Sequence, residues 1–192
     1  MNLEMLLTIL MGIGLSAASG FRVFIPFLVV SIASLTGNLT LAESFSWIGT
    51  IPALITFGIA AVLEIAGYFI PWVDHALDTV TTPMAVVAGA ILTASVVTDI
   101  SPMIKWVLAI IAGGGVAGTV QALTGVTRLT STATTGGLGN PAVSTVESGS
   151  SITLSALAIF IPLIAGIIVI VLLVWATKLL TRKFALRNKT IS

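Results

Sequence analysis

The stretch "ITLSALAIFIPLIAGIIVIVLLVWA", residues 152–176, contains no charged side chain. A helix needs roughly 20 apolar residues to cross a hydrocarbon core about 30 Å thick. Over the whole chain of 192 residues, 57% of the residues are hydrophobic and only 8% are charged, whereas a soluble domain carries about 25% charged residues. This composition cannot cover a water-facing surface. The sequence therefore predicts an all-α, polytopic integral membrane protein, because lipid-exposed spans of this kind must be helical.

The chain is predicted to form one transmembrane domain with about six hydrophobic helices, near 5–20, 22–36, 46–70, 83–97, 103–123 and 152–176. A straight helix over 5–36 would be about 48 Å long, which is too long for one span. The string "SAASGFRVFIP" (16–26) is therefore expected to interrupt it. Either two spans meet in a tight turn at Ser19 and Gly20, or two half-helices form a re-entrant hairpin.

Charge and polarity place the ends and the connections of this bundle. Five of the eight basic residues lie in the predicted tail 178–192, namely Lys178, Arg182, Lys183, Arg187 and Lys189. Under the positive-inside rule this tail is cytoplasmic, and counting back through the spans makes the N-terminus cytoplasmic too. The only long polar segment, 124–151, is rich in Gly, Ser and Thr. It is predicted to be either a flexible outer loop or a folded segment that enters a protein-lined cavity.

Two charged residues lie within apolar runs and are candidates for function. An arginine at the bilayer centre costs at least about 2.5–3.5 kcal/mol, so Arg22 is expected to face a cavity, a carboxylate or an anionic ligand. Alternatively, Arg22 is a turn residue whose side chain extends to the headgroups. Glu64 near the end of span 46–70 is interpreted as a proton-carrying carboxylate or as the partner of Arg22 or Arg128. The alternative is an outward-extending side chain.

The segment "PWVDHALD" (71–78) gathers further titratable groups. Pro71 suits the first turn of a helix, and Asp74 and Asp78 then share one helical face. His75 titrates near physiological pH and is predicted to pass protons to Glu64. An interfacial helix with acidic residues at its N-terminus explains the pattern equally well. The chain has one histidine and no cysteine, so no zinc site is expected, and no cofactor is predicted.

The string "TTGGLGNP" (134–141) lacks the lysine and the spacing of a phosphate-binding P-loop. A glycine-rich backbone can nonetheless form an anion-binding nest. Gly136, Gly137 and Asn140, together with Arg128, are therefore candidates for substrate binding. A plain turn before a helix is the alternative reading of the same residues.

Three strings, "SAASGFRVFIPFL" (16–28), "IPWVDHALDTVTTPMAVVAGAIL" (70–92) and "TSTATTGGLGNPAVSTVES" (130–148), resemble a family of small bacterial membrane proteins known only as a domain of unknown function, DUF4126. Members often carry an acidic residue after the third string, which Glu147 supplies here. Many carry Lys-Ile-Pro where this chain has Phe69-Ile70-Pro71, which puts a cationic role at that position in doubt. The resemblance implies an all-helical fold in the bacterial inner membrane, and it implies no activity.

Together these features favour a small permease, with or without proton coupling, for a small or anionic substrate or a lipid headgroup. Arg22 and Arg128 would hold the anionic group, and the titratable residues would handle protons. The alternative is a non-transporting scaffold or accessory subunit whose glycine-rich faces pack against partner helices. An enzyme is not expected, because the single histidine has no G-x-S-x-G partner motif. The bilayer is the expected partner, nucleic acid is not, and homo-oligomerisation stays open.

Overall fold

A computed structural model describes the backbone of residues 3–68, 70–98 and 100–189, and the side chains within these ranges except those of 71–76, 78 and 179–189. The elements are helical throughout the part of the chain so described. They are α1 (Leu3–Phe21), α2 (Phe24–Leu35), a 3₁₀ helix (Glu43–Gly49), α3 (Ile51–Gly67), α4 (Pro71–Val96), α5 (Pro102–Leu108), a π-helical turn (Ala109–Gly114), α6 (Gly115–Thr135), α7 (Asn140–Phe160) and α8 (Pro162–Lys189).

The first helix, α1, lies at the centre of the bundle and packs against α4, α6, α7 and α8. Small residues allow this close packing. A Cβ atom at Gly14 would lie 2.7 Å from the Cβ of Ala158, and one at Gly20 would lie 2.6 Å from the carbonyl oxygen of Ala117. Close backbone approach of this kind is typical of membrane helix pairs. The packing fixes the C-terminal end of α1, where Arg22 follows.

Hydroxyl groups of neighbouring helices tie the backbone of α1 in place. Thr93 on α4 donates a hydrogen bond to the carbonyl oxygen of Gly12 at 3.1 Å. Ser151 on α7 donates to the carbonyl oxygen of Ala18 at 2.9 Å. Interhelical hydrogen bonds of this type stabilise membrane bundles by about 0.6 kcal/mol each on average. The last turn of α1 is therefore held from two sides.

Prolines mark where the helices begin. Six of the seven prolines lie within the first three positions of a helix, where a missing N–H is tolerated. The seventh, Pro83, lies inside α4. Pro162 has the largest effect on the fold, because α7 ends at Phe160 and α8 begins at Pro162. The predicted span 152–176 is therefore divided between two helices: its hydropathy is continuous, but Pro162 cannot donate the next helical hydrogen bond.

The fold class is confirmed, but the number of predicted spans is not. Four helices within the described residues are long and apolar enough to cross a membrane, or five if the 3₁₀ helix and α3, which are bent by 65° at their junction, form one broken span. The four are Leu3–Phe21, Thr79–Val96, Pro102–Thr135 and Asn140–Phe160. This is a multi-pass membrane protein. Its orientation and its membrane remain predictions, and the side chains of 179–192 that carry the orientation argument lie outside the described part.

The N-terminal break lies slightly later than predicted. Ser19 and Gly20 are both within α1, and the helix ends at Phe21. Arg22 and Val23 form the break, and α2 follows with 12 residues. Helix α2 is about 18 Å long, which is too short to cross a core of about 30 Å alone. This length favours the half-helix alternative over a full span at 22–36, and the re-entrant hairpin stays a prediction.

Of the two alternatives for 124–151, the flexible loop is wrong, because the segment is helical apart from the turn at residues 136–139. The folded segment agrees with these helices, and its entry into a cavity stays a prediction. Its hydroxyl groups bond to carbonyl oxygens one turn earlier: Thr127 to Leu123 at 2.9 Å and Thr145 to Pro141 at 2.8 Å. A threonine that bonds in this way needs no water. Polar composition alone therefore does not distinguish this helical segment from a loop.

Candidate functional site

Arg22 is buried inside the bundle, at the break between α1 and α2. Its Nε donates to the hydroxyl of Ser148 at 3.2 Å, and its Nη2 donates to the carbonyl oxygen of Ser144 at 3.2 Å and also to the Ser144 hydroxyl. Both serines lie on one face of α7, because they are four residues apart. Within the described structure, Nη1 of Arg22 is buried and has no hydrogen-bond partner.

Arg128 on α6 forms a two-pronged pair with Glu147 on α7. Its Nε donates to Oε1 of Glu147 at 3.0 Å, and its Nη2 donates to Oε2. Such a fork-to-fork pair fixes both side chains and is roughly twice as strong as a neutral hydrogen bond. Nη2 of Arg22 also lies 3.4 Å from Oε2 of Glu147. One buried carboxylate is thus shared by two guanidinium groups.

Tyr68, which follows the last residue of α3, joins the two arginines. The guanidinium carbon of Arg22 lies 4.0 Å from the centre of its ring, and that of Arg128 lies 3.6 Å from it. Both distances are well within the range of a cation–π interaction. The Tyr68 hydroxyl lies 3.1 Å from Oγ1 of Thr81, which accepts a hydrogen bond from Gln121 at 3.3 Å. We call Arg22, Tyr68, Arg128 and Glu147 the arginine cluster.

Glu64 is buried on α3 and caps the start of α2. Its Oε1 accepts a hydrogen bond from the backbone N–H of Val23 at 2.8 Å, and its Oε2 accepts one from that of Phe24 at 3.1 Å. The first N–H groups of a helix have no partner within the helix, and a carboxylate satisfies them and is favoured by the helix dipole. Glu64 therefore fixes the backbone immediately after Arg22.

The burial of these charges has a clear physical basis. An uncompensated charge in a low-dielectric interior costs several kcal/mol, whereas a paired one with its hydrogen bonds satisfied is tolerated. Here the two guanidinium groups are balanced by two carboxylates, because Glu64 as well as Glu147 interacts electrostatically with both arginines. The serines of α7 and the ring of Tyr68 supply further favourable contacts.

The predicted site residues are only partly brought together. Arg22, Arg128 and the Glu64 carboxylate lie around the end of α1, as the polar pattern indicated. Gly136 and Gly137 instead form the turn that ends α6, with positive φ angles of 63° and 91°. They follow Arg128 by eight and nine residues, about 12 Å along a helix. No contact described for this turn joins it to the arginines, so a substrate role for the glycines stays a prediction.

The structure describes the side chain of Asn140 but not those of the predicted proton-handling residues on α4. Asn140 is buried, and its Nδ2 donates to Thr132 at 3.0 Å, so it ties α7 to α6. Its role in substrate binding stays a prediction. The side chains of Asp74, His75 and Asp78 lie outside the described residues, although their backbone belongs to α4. Their proposed proton-handling role is therefore untested.

Several members of the site were not predicted from the residue pattern. Tyr68 is the only tyrosine in the chain, and only that rarity marks it. Ser144, Glu147 and Ser148 follow the i, i+3, i+4 spacing of one helix face, a signal that the predicted loop obscured. Glu147 is indicated only by the family resemblance. In the structure it is the carboxylate at the centre of the cluster.

Comparison with known proteins supports the resemblance and adds no activity. The profile of the family described as "Domain of unknown function (DUF4126)" matches residues 9–182. Searches among curated proteins and among solved structures found no match. The matched range contains every member of the arginine cluster and almost the whole bundle. The chain therefore belongs to the DUF4126 family.

Proposed function

We propose that this multi-pass membrane protein is a small permease whose substrate carries an anionic group, a carboxylate or a phosphate. The observation that carries this proposal is the buried Nη1 of Arg22, a guanidinium donor without a partner in the described structure. A buried donor left unpaired costs about 1–3 kcal/mol. An anionic oxygen beside Arg22 would accept a hydrogen bond from this donor and remove the cost.

The location of Arg22 also supports transport. Ionisable residues inside a membrane protein mark functional sites by default. Transporter sites are commonly formed where helices are interrupted, with the N-terminus of a half-helix at the site. Arg22 lies at such an interruption, directly before the N-terminus of α2.

Glu64 is the residue that we assign to proton coupling. Its two oxygens accept from the N–H groups of Val23, which directly precedes α2, and of Phe24, its first residue. A proton on either oxygen would convert an acceptor into a donor and leave one of these N–H groups unpaired. Proton uptake would thus loosen the backbone beside Arg22, which links the proton to the substrate. Asp74, His75 and Asp78 complete the proton path in this proposal.

The scaffold alternative was based on glycine faces at 12–20 and 113–118. Several of these glycines contact helices of the same chain: Gly14 faces Ala158 of α7, and Gly113 faces Gly89 of α4. They are therefore used in the internal packing of the bundle. Gly115 has no atom within 4 Å of where a Cβ would lie, so a partner contact at that position stays a prediction.

The test is anion binding followed by transport. Purified protein in detergent would be titrated with phosphate, sulfate and acetate while its thermal unfolding is followed, because a ligand that binds only the folded state raises the unfolding temperature. We expect at least one anion to stabilise the wild type and to have no such effect on Arg22→Gln. Arg22→Lys, which keeps the charge and loses the planar fork, should bind more weakly. Lys105→Gln on α5 removes a cation outside the cluster and should change nothing.

Transport is then measured in proteoliposomes with the anion that binds. Uptake should depend on Arg22, and its acceleration by an inward proton gradient should disappear in Glu64→Gln. Anion stabilisation that persists in Arg22→Gln would contradict the site. Uptake that is equally proton-driven in Glu64→Gln would contradict the coupling role.

A further inference from the structure

One face of α7 carries a row of serines that leads from the arginine cluster into the bundle. Its members are Ser144, Ser148, Ser151 and Ser155. Their spacing of four, three and four residues places the side chains on one side of the helix. Arg22 bonds to the first two of them. The last lies seven residues beyond Ser148, which is about 10 Å along the helix. We call these four residues the serine row.

The serine row faces α1. The hydroxyl of Ser151 donates to the carbonyl oxygen of Ala18 at 2.9 Å. Three residues beyond Ser155, the two helices are so close that a Cβ atom at Gly14 would lie 2.7 Å from the Cβ of Ala158. Helix α7 therefore leads from the arginine cluster toward the N-terminal half of α1. The close contact of the two helices leaves space only for a compact ligand.

Helix α2 leads away from the arginine cluster in the same direction. By residue 42 the chain has reached the C-terminal end of α4, where the N–H of Ala42 donates to the carbonyl oxygen of Ser95 at 2.8 Å. Two residues earlier on α4, Thr93 bonds to Gly12 of α1. Helices α2 and α7 also pack against each other. Ser31 on α2 therefore lies on the same side of the cluster as the far end of the serine row.

Two hydroxyls on these helices are buried and unpaired. Ser31 and Ser155 are both 0% exposed, and within the described structure neither hydroxyl has a hydrogen-bond partner. The equally buried hydroxyl of Ser95, by contrast, donates to the carbonyl oxygen of Leu92 at 2.8 Å. Burying a hydroxyl without a partner is unfavourable. At the other end of the serine row, Nη1 of Arg22 is a third buried donor that lacks a partner in the described residues.

Resting on the proposed function, we propose that Ser31 and Ser155 form a second anion site, which receives a compact hydrophilic anion from Arg22 along the serine row. A hydroxyl donates a hydrogen bond as a guanidinium N–H does, so both ends of the row suit the oxygens of a carboxylate or a phosphate. Residues 148–177 include no charged side chain, so no carboxylate of this segment repels the anion beyond Glu147. The serine row is therefore the path of the anion through the bundle.

The first test uses single introduced thiols, because the chain has no cysteine. Ser155→Cys and Ser31→Cys, as full chains in nanodiscs, are treated with two methanethiosulfonate reagents of similar size, one bearing a sulfonate and one a trimethylammonium group. Both positions are fully buried, so reaction reports the opening of the path. We expect the sulfonate reagent to modify both thiols at least about tenfold faster than that of the control Ser95→Cys, because only an accessible thiolate reacts. The trimethylammonium reagent should be slower at both positions.

Arg22 should set this preference for the anionic reagent. Arg22→Gln leaves one arginine, Arg128, with two carboxylates, Glu64 and Glu147, and so a net negative charge at the start of the path. A negative potential repels anions and attracts cations. In Ser155→Cys that also carries Arg22→Gln, the sulfonate reagent should therefore lose its advantage over the trimethylammonium reagent.

The second test measures uptake into proteoliposomes. Ser155→Ala removes a hydroxyl that has no partner within the described residues, so the fold should not be weakened. Uptake of phosphate or acetate, whichever stabilises the wild type, should slow at least about tenfold, while the stabilisation itself is unchanged. Ser95→Ala is the matched control and should change neither. Phenyl phosphate, which adds a ring to the phosphate group, should not be taken up above the level of liposomes without protein.

The outcomes distinguish this inference from the proposed function. If an anion stabilises the protein through Arg22 but the thiols of Ser155→Cys and Ser31→Cys react no faster than that of Ser95→Cys, the second site is overturned and the first stands. Faster reaction with the trimethylammonium reagent, undiminished uptake in Ser155→Ala or uptake of phenyl phosphate would overturn it as well. If neither phosphate nor acetate stabilises the protein through Arg22, the proposed function fails and the second site with it.

Discussion

Arg22 and Arg128 lie over the same ring and contact the same carboxylate, yet they are held differently. Arg128 projects from within α6 and engages both oxygens of Glu147. Arg22 follows the end of α1, is held mainly by two serines of α7, and keeps one buried donor unpaired. The difference indicates that a buried arginine can serve either packing or binding. Arg128 satisfies the requirements of a structural pair, and Arg22 those of a ligand site.

The largest effect is expected at Glu147, on which both arginines depend. Glu147→Gln would leave two buried guanidinium groups without a carboxylate, and removing one partner of a buried pair typically costs about 3–5 kcal/mol. We expect a loss of this size in the free energy of unfolding, measured by denaturant titration in mixed micelles. Glu43→Gln, at an exposed position in the 3₁₀ helix, is the control and should be neutral. A neutral Glu147→Gln would mean that the cluster does not stabilise the bundle.

Substitution of each arginine tests the comparison directly. Arg128→Gln breaks the two-pronged pair and should cost about 3 kcal/mol. Arg22→Gln should cost only about 1–2 kcal/mol, since the Ser148 hydroxyl already bonds to the Ser144 carbonyl oxygen at 2.9 Å. The same denaturant titration measures both values. An equal or larger loss for Arg22→Gln would show that Arg22 is also structural, and the assignment of distinct roles would fail.

Glu64→Gln should have a smaller effect than Glu147→Gln, and this effect reaches Arg22 through the backbone. The amide keeps one acceptor oxygen but turns its NH₂ group toward a backbone N–H, so α2 loses one of its two capping bonds. A lost buried hydrogen bond of this kind costs about 1–3 kcal/mol. We expect faster amide hydrogen exchange at residues 23–27 and weaker anion binding, although Arg22 itself is intact. Unchanged exchange there would mean that Glu64 does not fix the start of α2.

The sequence was informative about charges and less so about how the helices are interrupted. Arg22, Arg128 and Glu64 were predicted because a charge in an apolar run needs a physical reason. Tyr68 was missed because an uncharged ring carries no such signal, and its role depends on packing between helices distant in the chain. Pro162 indicates an interruption of the apolar run 152–176, but hydropathy alone does not show that two separate helices meet there, because it reports composition and not hydrogen bonding. Residues 124–151 were misread because threonines that bond to their own helix look like loop residues.

The smallest effect is expected at the Tyr68 hydroxyl. Tyr68→Phe keeps the ring beside both arginines and removes the hydroxyl, with its 3.1 Å contact to Thr81, so about 1 kcal/mol should be lost. Tyr68→Leu removes the ring as well, and each cation–π contact adds about 0.5–2 kcal/mol to the loss. The extra loss is the difference between the two variants, measured by denaturant titration in the wild-type, Arg22→Gln and Arg128→Gln backgrounds.

The ring lies closer to Arg128, at 3.6 Å, than to Arg22, at 4.0 Å. The extra loss of Tyr68→Leu over Tyr68→Phe should therefore decrease more in the Arg128→Gln background than in the Arg22→Gln background. The reason is that the free-energy effects of two substitutions are additive only when the two residues do not interact. If the extra loss decreases equally in the two backgrounds, both arginines interact equally strongly with the ring. Greater shrinkage with Arg22→Gln would make Arg22 the cation that Tyr68 stabilises, and the structural and binding roles of the two arginines would then be exchanged.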